Sequence, residues 1–379
     1  MLYRNGLKLG ILGGGQLGRM LIQSGINYNL HHRVLDPDAQ APCKNIADEF
    51  ANGKLTNYDA VYHFGKQCDV ITIEIENVNC EALKQLEKEG IPVYPQPHII
   101  ELIQDKGLQK QFYAEHNIPT APFTFVEHPH EISERWTKFP CIVKLRREGY
   151  DGRGVMKLNS AADIATAFDK PSIIEELIPF EKELAVIVHR NIGGEMRTFP
   201  VVEMDFHPEK NLVEFLFCPA NINWEIAKKA GDIAKKVAEK LGIVGTLAVE
   251  MFLTKEGEIL VNEVAPRVHN SGHHTIEGNV TSQFDQHLRA ILGMPLGNTH
   301  VKQPAVMVNL LGEEGHTGPA AYKGLKEVLE LDGVSIHLYG KQTTKPFRKM
   351  GHVTITDPDL QTARKRAKQV KETLKVIAQ

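Results

Sequence analysis

The chain reads as two kinds of structure in succession, a parallel α/β unit over its first hundred residues and an α+β unit with antiparallel sheets beyond it. Three observations predict this. Apolar runs alternate with amphipathic helical stretches as far as residue 94, the pattern of strands joined by crossover helices. From Pro119 the chain changes to short β-branched segments divided by turn residues. Between the two, Pro95 and Pro97 punctuate the chain.

The elements follow in order. Strands are expected at 7–12, 33–35, 69–75 and 91–94, with helices opening at 18–25 and around 81–89. In the second unit, strands are expected at 141–145, 172–176, 184–189, 199–202, 246–253 and 259–263, with one long helix over 227–241. A third stretch from Pro304 carries apolar strands at 305–311 and 334–339, and a helix rich in Lys and Arg closes the chain. Its basic residues, Arg364 to Lys371, are most simply a solvated face.

Composition bounds the function. With 379 residues, 42% of them hydrophobic, the chain exceeds what a single core organises. A net charge of −3 gives no reason for a nucleic-acid or anionic-membrane partner. No apolar run reaches bilayer length, and residues 1–6 lack the pattern of a signal peptide. Five scattered cysteines form no CxxC pair, which fits a reducing, cytoplasmic location.

Four motifs carry chemistry. Gly13-Gly14-Gly15-Gln16-Leu17-Gly18 follows the first strand, and Asp36 ends the second. Glycines there let backbone approach an anion at a helix N-terminus. A dinucleotide, the phosphate of another ligand and plain packing all remain open at this point. Next, Lys144 ends an apolar strand and feeds the charged, glycine-rich run Gly149-Tyr150-Asp151-Gly152-Arg153-Gly154-Val155. An ammonium at such a place needs an anionic partner, and the run is built to fold over phosphates. Glu175-Glu176-Leu177-Ile178, with Glu183 opening the next strand, offers an acid and an extended linker to a nucleoside.

The fourth motif is a hairpin. A two-residue turn at Glu256-Gly257 pairs Lys255 with Glu258 and, counting back, Glu250 with Glu263. Two facing carboxylates destabilise a sheet unless a hard divalent cation, completed by phosphate oxygens, reverses the sign. Asn262 joins them only if the strand bulges. The following Arg267, His269, Asn270 and Ser271 read as a substrate loop, with Arg267 pairing an anion, and not as a zinc site.

Lys144, the 149–154 run, Glu175, Glu183, Glu250 and Asn262-Glu263 stand in the order of the ATP-grasp superfamily, which the chain resembles. Within it, residues 13–20, 149–154, 262–273 and 348–352 resemble the N5-carboxyaminoimidazole ribonucleotide synthetase family of purine biosynthesis, almost end to end. Glu148 departs from the small residue expected there.

The resemblance implies a Rossmann-like domain over 1–100, an ATP-grasp domain over 101–298 and a small C-terminal domain over 299–379. It implies ATP and Mg²⁺ as cofactors, bicarbonate and 5-aminoimidazole ribonucleotide as substrates, and a homodimer. Lys106 and Lys144 would contact phosphates under the cover of Gly149 to Val155. Glu175, Glu176, Leu177 and Ile178 would take adenine, and Glu183 the ribose. His207 would also lie on the nucleotide side, as would Asn262 and Glu263. Glu250, Asn262 and Glu263 would hold Mg²⁺. Tyr150, Asp151, Arg267 and His269 would do the chemistry, while Gln16, Leu17, Glu76, Arg267, Asn270, Ser271, Lys341 and Arg348 would bind the acceptor. The glycine loop would then serve the acceptor's phosphate side. Alternatives are another purine ligase, such as the formate-dependent glycinamide ribonucleotide transformylase, a dehydrogenase, and a nucleotide-binding regulator without turnover.

Overall fold

The computed structural model describes residues 3–147, 149, 154–206 and 212–379. Its first sheet has four parallel strands, ordered Glu49–Asn52, His31–Asp36, Lys8–Leu12, Val70–Ile73. Leu9, Ile11, Val70, Ile71 and Ile73 are buried, as a sheet covered on both faces requires. Asn57 and Asn79 start the helices Tyr58–Gly65 and Cys80–Lys88 by accepting the N–H groups of Ala60 and Ala82. The expected strand at 91–94 is reduced to one parallel bridge, Ile71 with Val93. Pro92 and Pro95 flank that bridge and have no N–H to extend a ladder. Glu49–Asn52, only four residues long, was not anticipated.

A small antiparallel sheet follows, ordered Phe123–Val126, Ser172–Glu176, Cys141–Leu145, Val155–Leu158. The larger sheet has nine strands. Its path runs Ile259–Ala265, Gly245–Thr254, Phe180–Arg190, Val202–Phe206, Val213–Cys218, Ala305–Leu311, Lys349–Thr356, Val334–Leu338, with Met196–Thr198 paired to Phe180–Arg190. The strand expected at 199–202 is split around Pro200 into Met196–Thr198 and Val202–Phe206.

The C-terminal stretch has its own cluster, in which Val306, Val353 and Ile355 meet Ala363, Ala367 and Val370 of helix Leu360–Thr373. Its strands nevertheless continue the central sheet, because Ala305–Leu311 pairs with Val213–Cys218. The expected solvated face holds only in part: Lys365 and Lys368 are exposed and Lys371 and Arg366 pair with Glu214 and Asp357, but Arg364 turns inward, its guanidinium 4.0 Å from the ring centroid of Phe217 in that cluster. The helix does not close the chain. Strand Lys375–Ala378 does, against Gly318–Lys323.

One packing relation aims the site. Helix Trp224–Leu241 is capped by the Asn223 side chain and ended by left-handed Gly242. It buries Ala230, Ile233, Ala234, Val237 and Leu241 against Leu184, Val186, Val188, Leu247, Val249 and Met251. Alternation along each strand then turns Glu183 and Glu250 to the opposite face.

Candidate active site

The hairpin that carries the paired acids differs from the expected one in two ways. Thr254 N–H donates to Glu258 O and Gly257 N–H to Thr254 O, so the loop has three residues, with Gly257 at φ +80°. Near the turn Met251 therefore faces Val261, not Asn262. A bulge at Asn262 then shifts the register, and beyond it Glu250 faces Glu263. The two departures cancel, so the expected pairing stands although its premise does not. The bulge is essential to the aim of the acid. Ile259 and Val261 face the helix with the core, and simple alternation would send Glu263 there too. The inserted residue turns it to Glu250's face.

Cations meet these acids from two other elements. Lys106 Nζ lies 2.7 Å from Glu263 Oε2. Lys106 opens helix Lys106–Glu115, whose cap Asp105 accepts from the N–H groups of Gly107 and Leu108 and is clamped through two bonds by Arg146 (3.0 and 2.9 Å). Lys144, from the small sheet, lies 2.8 Å from Glu175 Oε2 and donates to Asn262 Oδ1 at 2.9 Å.

The carboxyls divide in character. Lys106 above all holds Glu263 down to about 2, while 45% of its side-chain surface stays open to the cleft. Burial, then Glu263 and Glu183, pushes Glu250 up to about 8. Burial, then Glu263, raises Glu183 to about 7. Among the described residues no three His, Cys, Asp or Glu side chains already converge as a metal cage. Two facing carboxylates and an amide oxygen suit a cation that takes its remaining ligands from phosphate and water, and the like-charge part of Glu250's rise, from Glu263 and Glu183, is repulsion that such a cation would relieve.

Other expected site residues fall as follows. His269 stands at the acids, its Nε2 3.6 Å from Glu250 Oε1 and its Nδ1 2.9 Å from Ser271 Oγ. Ser271 is fully buried, so its hydroxyl orients His269 and does not face a substrate. Asn270 opens the turn Asn270–Gly272 and is partly exposed. Arg267 was expected to pair a substrate anion; its partner is Glu76, at 2.9 Å. Glu175, expected at adenine, is buried, with Lys110 at 2.9 Å on one oxygen and Lys144 on the other. Glu176 pairs with Lys138, and Leu177 and Ile178 are half-buried in the linker after it. Of the run expected to cover the phosphates, Gly149, Gly154 and Val155 are described, with Gly154 at φ +70°. Glu148, Tyr150, Asp151, Gly152, Arg153 and His207 lie outside the described residues.

The N-terminal glycine loop is corrected most. Gly14 N–H donates to Asp36 Oδ2 and Gly15 N–H to Glu74 Oε2, both at 2.6 Å. These donors serve the protein's own carboxylates, so they present neither a dinucleotide site nor an open phosphate cradle, and Asp36 is not a ribose acid. The glycines are there because a Cβ on Gly15 would collide with the Glu74 carboxylate, and one on Gly13 would stand 2.7 Å from it. Leu17 is core and offers no side chain to a ligand, whereas Gln16, the first helical residue, is partly exposed.

Sequence reasoning missed Glu74 and Lys110. Glu74 carried the same signal as Asp36, an acid at the end of an apolar strand. Burial raises its carboxyl, against the pull of Gly15 N–H, Arg267 and Lys341. Lys341 thus belongs to this end of the cleft, where it donates to Lys349 O at 2.7 Å. Arg348 bonds Thr343 O and Oγ1 at 2.8 and 3.0 Å.

Lysines from two elements reaching over acids fit for a divalent cation make a receptor for a nucleotide's polyphosphate, framed here between a small and a large antiparallel sheet. This is the construction of an ATP-grasp enzyme, an ATP-dependent ligase. Comparison with known proteins places it further. The ATP-grasp domain family matches residues 111–284, the ribonucleotide synthetase preATP-grasp domain 7–104, and the phosphoribosylaminoimidazole carboxylase C-terminal domain 305–366. The chain is 38% identical to the N5-carboxyaminoimidazole ribonucleotide synthase of Bacillus subtilis, over 92% of this chain and 91% of that protein. It is 40% identical to the chloroplastic phosphoribosylaminoimidazole carboxylase of Vigna aconitifolia, over 93% of this chain but only 64% of that longer protein. The crystal structure of the Thermotoga maritima synthetase superposes with a TM-score of 0.91 at 42% identity, covering 98% of this chain and 100% of that one. The Aspergillus clavatus synthase, solved with ADP and 5-aminoimidazole ribonucleotide, superposes at 0.89 with 35% identity, covering 97% and 98%. The chain belongs to the N5-carboxyaminoimidazole ribonucleotide synthase family.

Proposed function

We propose that the chain carboxylates 5-aminoimidazole ribonucleotide with bicarbonate at the expense of ATP, giving N5-carboxyaminoimidazole ribonucleotide, ADP and phosphate. The facing Glu250–Glu263 pair, met by Lys106 and Lys144, is the observation that carries this reading. A bicarbonate oxygen attacks the γ-phosphorus, the bond to the ADP oxygen breaks, and carboxyphosphate forms. Carboxyphosphate divides into CO₂ and phosphate inside the closed site. The exocyclic amine then bonds the carbon, and its proton passes to phosphate.

In this reading Lys106 and Lys144 hold the transferring phosphates in line, which is most of what phosphoryl transfer asks of a protein. Residues 149–155 cover them. Residues 175–178 take adenine through the backbone, since the Glu175 carboxylate is occupied by lysines. Glu183, poised near neutrality, accepts from or donates to a ribose hydroxyl. Glu250, Glu263 and Asn262 hold Mg²⁺, which when bound draws charge from the phosphate oxygens. Arg267, His269 and Lys341, with Tyr150 and Asp151, stand at the bicarbonate end. Glu76 and Gln16 face the acceptor, and Arg348 takes its phosphate. A cytoplasmic homodimer goes with this reading. No helix among the described residues is long and apolar enough to cross a membrane.

The test is ADP release from Mg²⁺-ATP with labelled bicarbonate, with and without the aminoimidazole ribonucleotide. Release that needs bicarbonate, rises with the acceptor and carries label into an acid-labile carbamate is expected. Release that needs formate instead would move the chain to the transformylase reaction. Glu263→Gln should abolish turnover while the melting curve stays cooperative; wild-type turnover in that variant removes Glu263 from the metal site.

A further inference from the structure

Lys110 is a buried cation beside the site that the mechanism above does not use. It lies one turn after Lys106 on helix Lys106–Glu115 and is 2% exposed. An ammonium so placed needs partners to offset its lost hydration. Its Nζ is 2.9 Å from Glu175 Oε1 and donates to the Thr120 hydroxyl, and the Phe123 ring centroid lies 5.8 Å away.

Each polar partner leads to a different part of the nucleotide site. Glu175 passes its other oxygen to Lys144. Thr120 Oγ1 donates to Val261 O at 2.7 Å, and Val261 N–H donates to Pro119 O at 2.7 Å. Val261 is the residue before the bulge that aims Asn262 and Glu263. Lys110 therefore ties the small sheet, which carries Lys144 and Glu175, to the hairpin strand that carries the acids. There is also a charge consequence. One carboxylate shared between two ammoniums cannot balance both, so the Lys110–Glu175–Lys144 cluster carries a net positive charge. Without Lys110 the whole carboxylate charge would fall on Lys144 and hold it back.

We infer that Lys110 is a positioning residue for nucleotide binding: it shares Glu175 with Lys144 and grips Thr120, which sets Lys144 against the Asn262–Glu263 strand and leaves the cluster net positive toward the phosphates. The inference rests on the reading of Lys144 as a phosphate ligand. Full-length Lys110→Met, Glu175→Gln, Lys144→Met and the Lys110→Met/Glu175→Gln double variant are titrated with Mg²⁺-ADP by calorimetry, and the acceptor KM is measured alongside.

Lys110→Met is expected to weaken ADP on the order of tenfold, the loss of one charge-assisted contact, and to leave the acceptor KM within about twofold. The double variant is expected to bind ADP better than Lys110→Met alone, because no carboxylate is left to restrain Lys144. A merely structural lysine would shift ADP and acceptor together and would not be recovered. Wild-type ADP affinity in Lys110→Met, or a double variant no better than the single, overturns the inference. If Lys110→Met does not fold, Glu175→Gln is compared with the double variant. Affinities within about threefold are expected, since the coupling is gone; a larger loss, or a double variant that also fails to fold, makes Lys110 structural and overturns the inference. Unchanged ADP affinity in Lys144→Met would instead sink the phosphate reading of Lys144, separately from Lys110.

Discussion

Glu250 and Glu263 are the same residue type on the same face of one hairpin, yet their surroundings drive them apart. Lys106 meets Glu263 and keeps it ionised, whereas Glu250 meets burial and two like charges. A carboxyl raised in the folded state ionises first in the unfolded chain, so its effect on stability worsens as pH rises from the ordinary range, about 4.5, toward about 8. Glu250→Gln should therefore raise Tm, by more at pH 8 than at pH 5, in scans without metal or nucleotide. An equal gain at both pH values would show that Glu250 is not held protonated. Glu263 carries the opposite sign: its depressed carboxyl contributes stability above the usual carboxylate range, and that contribution disappears as pH falls toward about 2. A separate residue-scale prediction concerns the acceptor. Arg348→Ala should raise the acceptor KM by roughly tenfold to a hundredfold, the loss of about 1.5–3 kcal/mol from a charge-assisted contact, with the ATP KM little changed. Loss of ATP affinity with the acceptor KM retained would reverse the assignment.

At the scale of elements, the site depends on how helices begin and strands slip. Asp105 is at once the cap of the helix that opens with Lys106 and the partner of Arg146, which lies just after the strand of Lys144. Asp105→Ala should cost about 1–2 kcal/mol of stability by the loss of the cap and should also raise the ATP KM, because Lys106 and Arg146 lose a common anchor. A stability loss of that size with unchanged ATP KM would confine Asp105 to helix capping. The hairpin shows where local reading stops. The turn Lys255-Glu256-Gly257-Glu258 signals a hairpin plainly, but whether its loop has two or three residues is settled by the hydrogen bonds of Thr254 and Gly257. The bulge at Asn262 has no local signal at all. It arises because Val261 and Val264 both pack in the core cluster while Glu263 between them must reach Lys106. The glycine loop illustrates the same limit: its motif was legible, but the carboxylate that fills it, Glu74, arrives from a strand some sixty positions away.

Across the whole molecule, a nine-stranded sheet joins what the sequence divides at Pro304. Val213–Cys218 pairs on one side with Val202–Phe206 and on the other with Ala305–Leu311. A chain ended at residue 298 would leave that strand as an unpaired edge, with Phe217 stripped of Val306, Val353 and Ile355, the arrangement that invites edge-to-edge association. Such a truncation should aggregate in size-exclusion chromatography, whereas a monodisperse, cooperatively melting product would show that the central unit stands alone. The N-terminal unit is fastened as well, through Arg267 with Glu76 and the buried Thr72–His287 contact.

By itself the sequence determined the order of parallel and antiparallel units, the long helix expected over 227–241 and the hairpin that carries Glu250 and Glu263. Each of these rests on local rules, in which periodicity, turn residues and strand alternation act within a few positions. Only the tertiary structure decided that Glu175 holds lysines, that Arg267 holds Glu76, that Ser271 steadies His269 and that the glycine loop closes on Asp36 and Glu74. In each case a charged or polar group takes whichever partner the packing of distant strands brings within bonding distance, and no local pattern records which partner that will be.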